Sequence, residues 1–486
     1  MDRDLLLRYA QLSAAFGWRI LSYNFREDGG FSSLCIDSRE AGPGALFVAL
    51  AGSAQDGHRF VGDAFKRGAA AAMVAESRLA GTVPDLGAEA EKAGAVLIAV
   101  PDTLKGLQDT ARLYLEQFPA LLKIGITGSS GKTTTKEIAA AMIGSERAVV
   151  YNSGNLNSET GLPLSVFQVR PFHQAGIFEM GMNRKGEIAE LAAVLKPHIA
   201  LITNIGSAHI GILGSKEAIV EEKKQIFCQF TGKETALIPA DDEWRDELAR
   251  SVPGSVLFFG PAYLEELGSV LDRGLEGAEI TWEGVSAHFA LPGRYNLRNA
   301  LAAAAIAKAA GMGGRAIRRG LEEAKPLFGR SEILRGTLRR GRGTVTMIRD
   351  CYNSNPDSAA EAVAFCDGLA WPGRKIYVLG SMLELGDASA AAHEGIGLRL
   401  AASEADMVFL YGRETAPAAS VLGAAEGQKV PCYYTDIMGN LAGALAAFVR
   451  DGDLVLLKGS RICALEQLTE VLVSLELPEE VMGGVR

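Results

Sequence analysis

Short apolar runs, each the length of one buried strand, alternate with stretches of helical spacing along most of this chain. In the first part, 43–50 reads as a turn and a strand, 61–68 as a helix after a polar turn, 70–75 and 95–100 as strands, and 102–118 as a helix. The middle part opens with a strand at 121–126 and a helix at 136–143. Further strands are predicted at 148–151, 175–180 and 199–203, with helices at 185–195 and 216–230. Pro292 and Gly293 then close the strand region and open an alanine-rich helix to Ala310, with Asn296 as its predicted N-cap. The last part repeats the rhythm: strands at 345–348, 376–380, 407–411 and 454–457, helices at 358–366, 388–404, 438–449 and 462–475. Strands alternating with helices predict open, mostly parallel sheets. The length suits about three domains, and the pattern divides at 1–119, 120–326 and 327–486.

Composition adds exclusions. Of the 486 residues, 48% are hydrophobic and 22% charged, an ordinary globular balance with ample core. The net charge of −9 argues against a general nucleic-acid surface. No apolar run reaches the ~18 residues of a membrane span, and 1–15 has none of the features of a secretory signal. The six cysteines lack C-x-x-C pairing, so reduced thiols in a cytoplasmic protein are expected.

The candidate chemistry begins at Thr127-Gly-Ser-Ser-Gly-Lys-Thr133, between the strand at 121–126 and the helix that follows. Strand, glycine loop and helix are the context of a phosphate-binding loop, whose backbone N–H groups turn toward an anion. Lys132 can reach β- and γ-phosphates, and the Thr133 hydroxyl can ligate Mg²⁺. The spacing departs from the common form, because Ile126 stands where the first glycine would be. Read as a phosphate loop, this stretch predicts a central parallel-sheet domain of P-loop ATPase type; the alternative is an ordinary glycine turn before a helix. Glu179 and His209 fall at or just past strand ends, where open α/β sheets bind ligands, and leave room for a second Mg²⁺. On pattern alone, His209 reads equally as a hydrogen-bonded loop histidine, and Asp37-Ser38-Arg39 and Asp56-Gly57-His58 as turn chemistry.

With Asn155-Leu-Asn157, Glu179-Met-Gly181, Ala208-His209, Glu222-Lys-Lys-Gln-Ile-Phe227, Gly293-Arg-Tyr-Asn-Leu-Arg-Asn299, Gly329-Arg330 and Asp350-Cys-Tyr-Asn-Ser-Asn-Pro356 added to the loop, the chain resembles the Mur ligases over almost its whole length. Met382-Leu-Glu-Leu-Gly386 and Lys458-Gly-Ser-Arg461 are most similar to the branch that adds D-alanyl-D-alanine. Ser381 and Ser354 stand where that branch commonly has Asp and Ala. The resemblance implies a small N-terminal α/β domain for the UDP end of the substrate, the central ATP domain, and a C-terminal Rossmann-like ligase domain. It implies an ATP-dependent ligase that phosphorylates the carboxylate of UDP-N-acetylmuramoyl-tripeptide and joins it to D-alanyl-D-alanine, acting as a monomer.

Residue by residue, the resemblance assigns Thr127, Gly128, Ser129, Ser130, Gly131, Lys132, Thr133 and Thr134 to the nucleotide phosphates. It assigns Asn296 and Asn299 to the adenine, Asp350 to the ribose, and Arg330 to the phosphates. Thr133 and Glu179 would hold a first Mg²⁺, and His209 with a carbamylated Lys223 a second; Lys132, His209 and Lys223 would be catalytic. Ser38, Arg39, Asn155, Asn157, Tyr352, Asn353 and Asn355 would meet substrate. Without the resemblance, Lys223 belongs to a solvated charge run, Arg330 to a solvated hinge, and Lys458 and Arg461 to exposed surface beside a helix start. The rival functions are a sister ligase adding one amino acid to a muramoyl or folyl substrate, and a P-loop NTPase without ligation.

Overall fold

The computed structural model describes residues 5–22, 29–52, 55–79, 85–340, 343–424 and 430–474. Its centre is a six-stranded, wholly parallel sheet in the spatial order Ser255–Phe259, Thr235–Pro239, Ile199–Ile202, Leu122–Thr127, Ala175–Glu179, Val149–Tyr151. Ile124 and Ile126 are fully buried, because helices cover both faces of a parallel sheet. The register sets Ile126 beside Glu179 and Leu201. The glycine loop, Glu179 and the loop after Ile202 therefore emerge together at one edge.

The helix after the loop runs Lys132–Gly144, starting earlier than the apolar period predicts. Its first turn is the end of the glycine loop, with Gly131 as N-cap at φ +78°, and the apolar spacing begins only at Ile138. The predicted helix at 216–230 ends at Lys224 and tightens to a 3₁₀ turn, Gln225–Phe227. An antiparallel ribbon, Leu267–Asp272, Ala278–Trp282 and Val285–Phe289, was not legible in the sequence. Its first strand is mostly exposed and shows no apolar alternation.

The N-terminal sheet has five strands in the order Arg19–Ser22, Val96–Val100, Ala71–Ala75, Ala45–Val48, Ser33–Cys35, the first of them antiparallel. Its last helix, Thr103–Leu115, puts Leu107, Ala111 and Tyr114 into one apolar core with Leu162, Val166 and Leu191 of the central unit. The Tyr114 hydroxyl seals the seam by donating to the Val169 carbonyl at 2.6 Å.

The C-terminal sheet has seven strands, ordered Cys432–Thr435, Met407–Tyr411, Lys375–Gly380, Leu454–Lys458, Thr344–Asp350, Glu332–Leu338, Val473–Ser474. Five are parallel; at one edge Glu332–Leu338 runs against them and pairs antiparallel on both sides, with Thr344–Asp350 and with Val473–Ser474. The helix predicted at 462–475 is broken. A 3₁₀ turn, Arg461–Cys463, meets Ala464 at φ +48°, the helix is confined to Gln467–Leu472, and Val473 pairs with Leu338 as a strand. Leu475 lies outside the described residues. All six cysteines are free thiols, and no helix among the described residues is long and apolar enough to cross a membrane.

Candidate active site

A cleft of about 590 Å³ lies between the central and C-terminal sheets, lined by Ser129 to Thr134 on one side and by Arg330, Asp350, Tyr352, Asn353, Asn355 and Lys458 on the other. The glycine loop is anchored from the neighbouring strand. Asn204 takes the N–H of Ser129 on its carbonyl and that of Ser130 on its side chain, both at 3.0 Å. Thr203 Oγ1 donates to the Ser130 carbonyl at 2.6 Å. Gly128, at φ +146°, is required here: a Cβ would stand 1.8 Å from Thr203 Oγ1. The first helical N–H groups, of Lys132, Thr133 and Thr134, have no carbonyl one turn back and make an anion site at the helix end. Thr127 stands apart from these: its hydroxyl is buried and donates to the Met180 carbonyl at 2.9 Å.

Lys132 Nζ donates to the Gly128 carbonyl at 2.8 Å. Burial lowers its pKa, the Glu179 carboxylate opposes that, and Arg330 adds to the lowering. Thr133 Oγ1 donates to Glu179 Oε2 at 2.7 Å and accepts from Arg330 Nη2 at 2.9 Å. Asn157 Nδ2 donates to Glu179 Oε1 at 2.7 Å. Behind Glu179 stands Asn152, which sequence reasoning missed. Its Oδ1 accepts from the Glu179 N–H, and its Nδ2 donates to the Glu179 carbonyl. The buried Lys136 ammonium in turn donates to the Asn152 carbonyl. The signal available was Asn152's place directly after a strand whose end lies at the cleft.

Arg330 comes from the segment entering the C-terminal unit, yet reaches Thr133, with its guanidinium 4.3 Å from the Tyr352 ring centre. It is not a solvated hinge residue. Asp350 Oδ2 is 3.0 Å from Lys458 Nζ, which also donates to the Asn353 carbonyl at 2.8 Å. Lys458 is 3% exposed, so its surface reading is overturned: the end of a central strand carries it into the cleft. Asn355 caps the helix Pro356–Gly368 and exchanges hydrogen bonds with Ser358. Asp357 Oδ2 accepts from both the N–H and the hydroxyl of Ser207 at 2.6 Å, tying the two units together. His209 Nδ1 is 3.1 Å from Glu384 Oε2, and the histidine beside it holds the Glu384 carboxyl below the usual carboxylate range. Both residues adopt the left-handed backbone conformation, at φ +66° and +64°, which costs on the order of 1 kcal/mol each.

Asn296 lies in the first turn of the helix Arg294–Ala309 and not at its N-cap, which is Gly293. Its Nδ2 donates to the Pro292 carbonyl at 2.8 Å, and Asn299 Nδ2 donates to Asn296 Oδ1 at 3.4 Å. Both asparagines line the cleft, and Asn299 packs against Gly131 so closely that a Cβ there would meet its Oδ1 at 2.1 Å. Lys223 is 1% exposed, not part of a solvated run, and its ammonium makes no hydrogen bond or ion pair among the described residues. Burial, then repulsion from Lys132, puts its pKa well below the ordinary lysine value. Its neighbour Glu222 is also buried and accepts the N–H groups of Gly186 and Ile188 at the next helix. Asn155 is exposed and outside the cleft lining. Ser38 and Arg39 form a 3₁₀ turn capped by Asp37, whose carboxylate pairs with Arg39 at 2.5 Å, in the N-terminal unit away from the cleft lining. His58 is a buried structural residue: Nδ1 meets Asp56 at 2.6 Å and Nε2 accepts from the Ala75 N–H.

The donor set fits a hard cation in one place. The Thr133 hydroxyl and Glu179 carboxylate are oxygen donors 2.7 Å apart beside the anion site. Among the described residues no three His, Cys, Asp or Glu side chains converge, so nucleotide oxygens would complete the shell.

A phosphate loop closed over by a second α/β sheet, with a threonine–glutamate pair at its mouth, defines a nucleotide-using enzyme that works between domains. Three family descriptions match the chain: Mur ligase family, catalytic domain, over 31–115; Mur ligase middle domain over 126–307; and Mur ligase, glutamate ligase domain, over 329–461. The chain belongs to the Mur ligase family. It is 43% identical over 473 residues to the UDP-N-acetylmuramoyl-tripeptide–D-alanyl-D-alanine ligase of Treponema pallidum, covering 96% of this chain and 99% of that one. It is 34% identical to the Bacillus subtilis enzyme of the same name, covering 90% and 93%. Among solved structures it is similar to MurF from Acinetobacter baumannii, with TM-score 0.81, 27% identity and coverage of 95% and 98%. It is also similar to MurF ligase from Thermotoga maritima in complex with ADP, with TM-score 0.75, 29% identity and coverage of 90% and 96%.

Proposed function

We propose that this chain is an ATP-dependent ligase that joins D-alanyl-D-alanine to UDP-N-acetylmuramoyl-tripeptide in peptidoglycan precursor synthesis, working in the cytoplasm. The observation that carries the reading is the Lys132–Thr133–Glu179–Arg330 cluster, assembled from two units on one phosphate loop. The loop N–H groups and Lys132 bind the β- and γ-phosphates of ATP, and Arg330 follows the charge as the γ-phosphoryl moves to the tripeptide carboxylate. The dipeptide amine then attacks the acyl phosphate carbon, the C–N bond forms, and phosphate leaves. Asn296 and Asn299 face the adenine and Asp350 the ribose, the latter held in place by Lys458. Mg²⁺, held by Thr133 and Glu179, would neutralise phosphate charge. A carbamate on Lys223 would replace a buried cation repelled by Lys132 with an anion attracted to it; the lysine's burial and the absence of a side-chain partner among the described residues support that modification, and only with the carbamate present would a second cation site exist, which His209 would join. Ser38 and Arg39 bind the UDP end, and Asn157, Tyr352, Asn353 and Asn355 line the path of the peptide.

The test is phosphate release with ATP, UDP-muramoyl tripeptides differing in their third residue, and either D-alanyl-D-alanine or single amino acids. Release that requires both tripeptide and dipeptide is expected. Preference for a single amino acid indicates a sister ligase, and release without any carboxylate substrate indicates an NTPase.

A further inference from the structure

The C-terminal unit brings four acids to the cleft, and three are firmly held: Asp350 by Lys458, Asp357 by Ser207, Glu361 by Arg298. Glu384 differs. Its Oε2 lies 3.1 Å from His209 Nδ1, an alignment that leaves that nitrogen without a hydrogen bond, and beyond the histidine it feels only the more distant charge of Lys132. Its side chain is 54% exposed and lines the cleft.

The backbone under this loose carboxylate is tightly fixed. Glu384 follows the C-terminal end of the strand Lys375–Gly380, where open sheets present their ligand loops. The Met382 N–H donates to His393 Nε2 and the Leu383 N–H to Ser460 Oγ, both at 3.0 Å. Leu385 and Gly386 lie against the backbone of Gly211, near enough that a Cβ on Gly211 would stand 2.3 Å from Gly386 N. The fold thus holds an incompletely paired anion at a set point of the cleft that Lys132 also lines.

An anion at such a point suits a substrate cation, here one that sheds a proton before it attacks as the free amine. The dipeptide carries one positive group, its terminal ammonium, and that nitrogen must come to rest beside the carbonyl whose phosphate Lys132 would hold. The geometry points to Glu384 as the receptor for the ammonium group of the incoming D-alanyl-D-alanine, so the dipeptide enters along the C-terminal unit with its nitrogen aimed at the phosphate loop. The assignment rests on the ligase reading above. It makes Glu384 a specificity residue for the acceptor, not part of the nucleotide site.

The experiment compares full-length wild type, Glu384→Gln and Glu384→Asp in two reactions. One is ligation of D-alanyl-D-alanine. The other is hydroxamate formation with hydroxylamine, a nucleophile largely uncharged near neutral pH that reports acyl phosphate without needing an ammonium receptor. Glu384→Gln is expected to raise the KM for D-alanyl-D-alanine on the order of 10-fold or more, with a much smaller change in the KM for ATP, and to lower ligation far more than hydroxamate formation. Glu384→Asp, which keeps the charge, should recover part of the loss. An unchanged dipeptide KM overturns the inference, as does an equal fall in ligation, hydroxamate formation and ATP affinity, which would place Glu384 in phosphoryl transfer. If wild type forms hydroxamate but ligates a different amine, the dipeptide reading falls instead, and the same Glu384→Gln comparison with that amine decides the receptor.

Discussion

The Lys132 ammonium is held by one carbonyl of its own loop and by the field of Glu179, against a burial that disfavours its charge. Lys132→Ala should lower turnover on the order of 10²-fold or more while leaving the melting temperature nearly unchanged; near-normal turnover would remove it from the site. Lys223 and Lys224 separate chemistry from architecture at adjacent positions. Lys224 Nζ donates to the Glu247 carbonyl at 2.8 Å, so Lys224→Ala should cost about 1 kcal/mol of stability and little activity. Lys223→Ala should lose activity that acetate partly restores, and labelled bicarbonate should mark the wild type and not the variant. Full activity of Lys223→Ala without CO₂ would refute the carbamate. At this scale the sequence was informative wherever glycines and a charged residue followed a strand, as at Lys132. It was misleading where burial is tertiary. Nothing local distinguishes the buried Lys223 and Lys458 from solvated lysines, since helices and strands distant in sequence cover them.

At the scale of elements, the strands of the parallel sheets were the legible part, because burial on both faces writes them as plain apolar runs. The ribbon at 267–289 and the strand Val473–Ser474 were not, since pairing partners rather than local pattern define them. The loop after the strand Lys375–Gly380 has a feature no sequence pattern announces. His393 is fully buried, donating from Nδ1 to the Ser389 carbonyl and accepting on Nε2 from Met382. This arrangement requires the neutral ring, and burial lowers the pKa below the ordinary histidine value. A folded-state pKa below the unfolded one means the unfolded chain binds the extra proton first. The stability is therefore present above the unfolded value, about 6.5, and is lost as pH falls toward the folded one. His393→Gln keeps an acceptor for Met382 without the titration. It should flatten the fall in melting temperature on acidification from neutral pH; an unaltered slope would show that other groups govern it.

Over the whole molecule, the first and central units share a single apolar core, whereas the C-terminal unit meets the central one through polar pairs, the Gly211–Gly386 backbone contact and a few apolar contacts, Ile210 and Leu275 on the C-terminal core and Tyr295 against Phe365. Such an interface opens at small cost. Gly211 has no positive φ, so alanine is free of backbone strain there, but its methyl would collide with Leu385 and Gly386 when the units meet. Gly211→Ala should leave thermal unfolding unchanged, weaken ATP-induced compaction in small-angle scattering, and cut turnover about 10-fold or more. Compaction equal to wild type would exclude this contact from closure. Asp350→Asn should raise the ATP KM, and an unchanged KM would contradict a ribose contact made across the gap.

The shared core has one more consequence. Helix Thr103–Leu115 is cemented to the central unit through Leu107, Ala111 and Tyr114, so the turn at Ser38–Arg39 and the phosphate loop are parts of one solid body. If the first unit grips the UDP end, the separation between grip and loop is a built-in ruler. A precursor with a shorter stem would still bind by its nucleotide, yet its carboxylate would hang short of Lys132 and escape phosphorylation. Length, and not only the chemistry of the last residue, would then decide which intermediate is extended.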